Sequence, residues 1–241
     1  MTDRSHQTGL QKPATGASVT AFLDQVAQLP AKGGGDRLRG RLLFAMDATK
    51  SREPTWDMAC SLQADMFTET ADLGGLDVSL AFYRGFGECK AGPWVSDPRA
   101  LLGLMGKVRC AAGRTQIGRI LDHAQSETRK MRVNALVFVG DRMEEDADLL
   151  AEQAGQLGLL GLPVFPFLEG ADAQAERSFR DIAKLSGGVF CRFDVGAAAK
   201  LRSLLGAVAV YAAGGRKALE HYGAKAGGEG ARLLLPALSK R

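Results

Sequence analysis

The chain is poor in the residues that announce several common chemistries. It has four cysteines, Cys60, Cys89, Cys110 and Cys191, widely spaced and without a C-x-x-C pair. That spacing argues against a zinc site and suits a reduced, cytoplasmic chain whose cysteines act as small apolar fillers. The three histidines, His6, His123 and His221, fall in separate segments. None sits in a local nucleophile motif such as G-x-S-x-G, so no catalytic constellation is expected. No run approaches the roughly 18 apolar residues of a membrane-spanning helix. The opening residues, Met1-Thr2-Asp3-Arg4-Ser5-His6, lack the apolar core of a secretory signal. The glycine-rich run Lys32-Gly33-Gly34-Gly35-Asp36 is a linker, because no Gly-Lys-Ser/Thr follows it and no strand precedes it.

A broad basic surface is also missing. The net charge is +4. All of it resides after residue 213, where Arg216, Lys217, Lys225, Arg232, Lys240 and Arg241 face only Glu220 and Glu229. The preceding part is balanced, so nucleic acid is not indicated as a partner. The cationic end reads as a solvated tail, or as a contact for an acidic partner. Its apolar piece, Leu233, Leu234, Leu235 and Leu238, is a candidate for docking on the body or on a partner.

What is present is a long alternation of strands and helices. The chain has 241 residues, 46% of them hydrophobic, enough for one large α/β domain with tails. Residues 1–40 read as a polar start, then a short helix over Val19–Leu29 and the linker. Residues 41–213 form the domain, and 214–241 the basic tail. Within the domain, strands are expected at Arg41–Met46, Leu76–Tyr83, Asn134–Val139, Pro163–Leu168 and Val189–Phe193. Gly85–Lys90 reads as a hairpin entering a short edge strand. Helices are expected at Thr55–Leu73, Pro98–Val108, Thr115–Arg129, Asp146–Leu157, Ala175–Leu185 and Ala197–Tyr211. Such alternation argues a parallel sheet with right-handed crossovers. Leu43, Phe44, Val137, Phe138, Val164 and Phe165 lie in runs apolar on both faces, as a covered sheet requires.

The chemistry concentrates where those runs stop. Phe44-Ala45-Met46-Asp47-Ala48-Thr49-Lys50-Ser51 ends a strand in a carboxylate and two hydroxyls at alternate positions. Such oxygens suit a hard cation. Thr115 opens a helix after Ala112-Gly113-Arg114, and Asp141 ends the run Ala135–Gly140. In open α/β sheets, ligands bind beyond the carboxyl ends of strands where the strand order reverses. Asp47 and Asp141 also have a plainer reading, as caps of the helices that follow them. Glu144-Glu145-Asp146 with Asp148 reads either as a cation-concentrating cluster or as the favourable first turn of a helix.

These motifs resemble those of the von Willebrand factor type A domain family, over about Arg41 to Tyr211. The form here is similar to its stand-alone bacterial members. The resemblance implies an α/β, doubly wound, mostly parallel six-stranded sheet, order 3-2-1-4-5-6. It has one short antiparallel edge strand and helices on both faces. It also implies a metal-ion-dependent adhesion site made of Asp47, Thr49, Ser51, Thr115 and Asp141. Thr49 stands where the family usually has Ser; it keeps the hydroxyl and adds a methyl. The implied ion is Mg²⁺, with Mn²⁺ or Ca²⁺ as substitutes, and its shell would be completed by an acidic side chain of a protein partner. Arg52, Glu53, Phe86 and Glu144 are the candidate partner-binding residues around it. The expected function is a cytoplasmic, non-enzymatic interaction module with no membrane association. The alternative is a non-catalytic subunit of an ATPase-driven, chelatase-like or chaperone-like complex. A metal-dependent hydrolase would want more carboxylates or a histidine near the ion.

Overall fold

The computed structural model describes residues 39–194, 197–225 and 228–238. The expected helix over Val19–Leu29 and the linker lie outside them. At the centre is β1 (Gly40–Asp47), buried along almost its whole length. It pairs in parallel with β2 (Leu76–Arg84) and with β4 (Ala135–Gly140). β5 (Val164–Glu169) continues from β4, and β6 (Cys191–Phe193) from β5, both parallel. β3 (Glu88–Val95) pairs antiparallel with β2 and completes the order β3-β2-β1-β4-β5-β6. The strand order is the one the resemblance implies.

Alternation along β1 sorts two cores. Leu42, Phe44 and Met46 face α1 (Glu53–Thr68), α2 (Pro98–Met105) and α6 (Ala198–Ala224). Leu43 and Ala45 face α3 (Ile117–Lys130), α4 (Ala147–Leu159) and α5 (Ala173–Ser186). Successive side chains of a strand point to opposite faces, so a central strand covered on both sides must be apolar throughout. The six residues expected at the heart of the sheet are all at most 1% exposed.

Four elements differ from expectation. The edge strand β3 is eight residues long rather than short. It accommodates Pro93 because Gly92 and Pro93 fall where the register with β2 shifts between Ser79 and Ala81. A bulge there needs no ladder donor. Helix α1 ends at Thr68; Thr70 turns its hydroxyl onto the carbonyls of Met66 and Phe67, and Gly74 and Gly75 take left-handed backbone. Helix α3 begins at Ile117 rather than Thr115. Finally, α6 runs past Tyr211 to Ala224 with a break at Gly215, φ +68°. The described part of the expected tail is therefore largely helical. After α6 comes α7 (Glu229–Leu238), whose Ala231 and Leu234 are buried against the α6 side of the core. The apolar tail segment docks on its own domain.

The strand order reverses at β1, which has β2 on one side and β4 on the other. The carboxyl ends of β1 and β4, carrying Asp47 and Asp141, thus open into one crevice.

Candidate metal centre

Asp47, Thr49, Ser51, Thr115 and Asp141 line a single cavity of about 310 Å³, with Lys50 at its wall. Tertiary structure brings together all five residues of the expected set. Asp47 is the last residue of β1 and only 2% exposed. One of its carboxylate oxygens accepts the Thr49 backbone N–H at 2.7 Å. That local turn swings Thr49 and Ser51 over the strand end, their hydroxyl oxygens 3.4 Å apart. Ser51 Oγ in turn donates to Asp141 Oδ2 at 3.4 Å. Neither aspartate caps a helix: Arg52 precedes α1, and Asp146 caps α4 by accepting from the N–H groups of Asp148 and Leu149.

The Thr115 wall is assembled from three loops. Glu144 accepts the Thr115 N–H at 3.1 Å and donates its own N–H to Thr115 Oγ1 at 3.0 Å. Glu145 accepts from the N–H groups of Ile117 and Gly118 at 2.6 and 2.9 Å, capping α3 from a distant loop. An anionic group is favourable at that helix terminus. Arg114 N–H donates to the carbonyl of Gly85, and Gln116 reaches the carbonyl of Arg84. Gly113 is in close approach there: a Cβ on it would lie 2.1 Å from the Gly85 carbonyl oxygen.

Electrostatically, the site wants a cation. Burial pushes the Asp47 carboxyl up to about 6, the Thr49 hydrogen bonds oppose this, and the nearby Asp141 charge adds to it. The Tyr83 hydroxyl is fully buried beside Asp47, and burial together with the Asp47 charge pushes it well above its ordinary value. Among the described residues no three His, Cys, Asp or Glu side chains cluster as a metal cage. A hard ion would rest on two carboxylates and neutral hydroxyls, a donor set that fits Mg²⁺ with several of its waters retained. A larger cleft of about 590 Å³ lies between α5 and α7; apolar side chains line it together with Arg180 and Lys184, and it offers no such set.

The four residues expected at the rim divide. Phe86 stands 83% exposed at the tip of the β2–β3 hairpin. Glu53 is exposed and paired with Lys50 Nζ at 2.5 Å. Glu144 is committed to Thr115. Arg52 departs from expectation: it is buried at 8% exposure, points inward, and ion-pairs with Glu169 and with Asp141. A neutral interior cannot leave Glu169 uncompensated, and that draws the guanidinium in. Thr55 adds its hydroxyl to the same Glu169 oxygen. The sequence did carry a signal for Glu169, since the run Val164–Leu168 ends in a carboxylate just as the runs before Asp47 and Asp141 do.

No family model matches the chain, and no curated protein is similar to it in sequence. Solved structures share its architecture. Proximal thread matrix protein 1 from the mussel byssus superposes with TM-score 0.56 at 17% identity, over 72% of this chain and 46% of that one. It has also been solved with zinc in its metal-ion-dependent adhesion site. The SpRpn10 VWA domain gives TM-score 0.54 at 12% identity, covering 74% of this chain and 98% of that domain. The vWF domain of the type V pili tip protein Mfa5 from Porphyromonas gingivalis gives 0.56 at 10%, covering 71% and 95%. This chain therefore spans less than half of the mussel protein but nearly all of the two isolated domains. Strand order, helix placement and these neighbours agree that the domain has the von Willebrand factor type A fold.

Proposed function

We propose that this domain is a non-enzymatic interaction module that captures a protein partner through a divalent cation in the crevice. The observation that carries the reading is the convergence of Asp47, Thr49, Ser51, Thr115 and Asp141 on one cavity. These five would hold the ion. When bound, Mg²⁺ supplies an electrophilic position that an acidic side chain of a partner can complete. The chain's own residues do the rest. Asp47 and Asp141 supply negative charge, the hydroxyls of Thr49, Ser51 and Thr115 supply neutral oxygens, and Glu144 and Glu145 hold the Thr115 loop in place. With so few charged protein ligands the ion would keep exchangeable waters, one of which a carboxylate of the partner could displace. Exposed Phe86, on the hairpin that buttresses the Thr115 loop, offers the partner an apolar contact beside the charged centre.

Bond cleavage is not part of the reading. The four free cysteines suit a reducing, cytoplasmic setting. The test is affinity capture from native lysate with wild type and Asp47→Ala, each in Mg²⁺ and in EDTA. Partners retained by wild type in Mg²⁺ and lost in the other three arms support the reading. Partners indifferent to EDTA, or kept by Asp47→Ala, overturn it.

A further inference from the structure

Beneath the crevice lies a second cation site, already filled by the protein itself. Arg52 follows directly on Ser51, and its guanidinium is 10% exposed. On one side Nη1 pairs with Glu169, whose side chain is 1% exposed and also accepts the Thr55 hydroxyl. On the other side Nε lies 3.3 Å from Asp141 Oδ2, the same oxygen that accepts from Ser51. The two contacts differ in quality. The Glu169 contact is an aligned hydrogen bond. Nε, though buried, makes no aligned hydrogen bond, so Arg52 holds Asp141 by charge alone.

We propose that Arg52 is a built-in competitor of the divalent ion for Asp141, and that it sets the affinity of the crevice. This rests on the reading of the crevice as a cation site. With the site empty, the guanidinium compensates Asp141 and keeps two facing carboxylates from repelling each other. With an ion present, Asp141 turns its charge to the crevice while Arg52 stays anchored on Glu169. The asymmetry of the two contacts permits that exchange, because breaking the loose one leaves the tight one intact. A fixed positive charge this close to a ligand oxygen lowers the attraction of a second cation in a medium of low effective dielectric.

The test is calorimetric titration of the full chain with Mn²⁺, together with thermal unfolding in EDTA. Three proteins are compared: wild type, Arg52→Gln, and the double variant Arg52→Gln/Glu169→Gln. The double variant removes Arg52 and Glu169 together, so the more deeply buried carboxylate, Glu169, is not left unpaired. The expected result is tighter Mn²⁺ binding in both variants: by about tenfold in Arg52→Gln, the scale of losing one neighbouring charge, and by less in the double variant, where a negative charge outside the cavity lining is lost as well. Arg52→Gln should unfold earlier than wild type in EDTA, because it leaves Glu169 buried and unpaired, and Mn²⁺ should raise its unfolding temperature by more than it raises that of wild type. Equal or weaker Mn²⁺ binding in the double variant would overturn the proposal and leave the metal reading standing, with Arg52 merely orienting Asp141. Binding by the double variant but not by wild type would sustain the proposal and refute metal loading of the native crevice. Absence of binding in both would remove both ideas.

Discussion

At the residue scale the crevice is governed by the cost of an unpaired charge. Asp47 is nearly sealed from solvent, and in the metal-free protein its carboxyl is raised from 3.8 to about 6. Between those values the folded state holds a proton that the unfolded chain has released. Stability therefore falls as pH rises through that window and is lowest above pH 6. Each unit is worth about 1.4 kcal/mol, so the ionised group costs the metal-free fold about 3 kcal/mol. Asp47→Asn keeps an oxygen for the Thr49 N–H and removes the charge. In EDTA at pH 8 it should unfold at a higher temperature than wild type, with the gain disappearing by about pH 4. In Mn²⁺ the order should reverse, because only wild type gains stability from the ion. A variant less stable than wild type in EDTA would show that Asp47 is compensated in some other way. Cys191 offers an independent check on the β6 edge. It is buried, and that burial pushes its thiol up to about 12. It should resist alkylation at pH 8 in the native state and react on denaturation, as mass spectrometry of the labelled peptide would show.

At the scale of elements, the crevice depends on loops that hold one another. The Thr115 loop has no capping residue of its own; Gln116 precedes α3 and makes no side-chain cap. Glu145 caps it from the β4–α4 connection, and Gly113 packs on Gly85 of the β2–β3 hairpin. Backbone stands against backbone there, so an added methyl has nowhere to go without moving a loop. Gly113→Ala is expected to cost about 1–3 kcal/mol and to displace Thr115. Chemical denaturation should show the first effect. Weakened Mn²⁺ binding, with Asp47 and Asp141 untouched, should show the second. Unchanged affinity would mean that the loop relaxes without carrying Thr115 along. From the sequence, Thr115 is legible as a helix-opening hydroxyl. Its partner Glu144 and the distant cap Glu145 are not, because they reach it across a gap of some thirty residues.

On the scale of the molecule, the two cores and the C-terminal helix form one packed body. Leu234 of α7 is fully buried among residues of α6. Leu234→Ala leaves a cavity and should cost about 2–3 kcal/mol, at the lower end of the range for buried leucines because α7 lies at the periphery. A single unfolding transition shifted to lower denaturant, with Mn²⁺ binding unchanged, is expected. An early separate transition would show that α7 does not belong to the cooperative unit. The charge count alone suggested a solvated tail here. It could not register that glycine-rich spacing leaves enough helix, with Ala231 and Leu234 on one side, to close over α6.

Sequence by itself determined the strands and their order of burial. Leu42–Met46, Ala135–Val139 and Val164–Leu168 are apolar on both faces, and only a covered parallel sheet satisfies that. It also determined where such runs stop, since a carboxylate cannot continue into the core without a partner. That same logic placed Asp47 and Asp141 at strand ends. Tertiary structure decided which strand ends meet, because adjacency of β1 and β4 is a property of chain crossover and not of local pattern. It decided too the direction of Arg52. Next to Ser51 in sequence, the side chain reads as a partner-binding residue at the rim of the crevice. In the fold it turns inward, because the buried charge of Glu169, 117 residues away, has to be met.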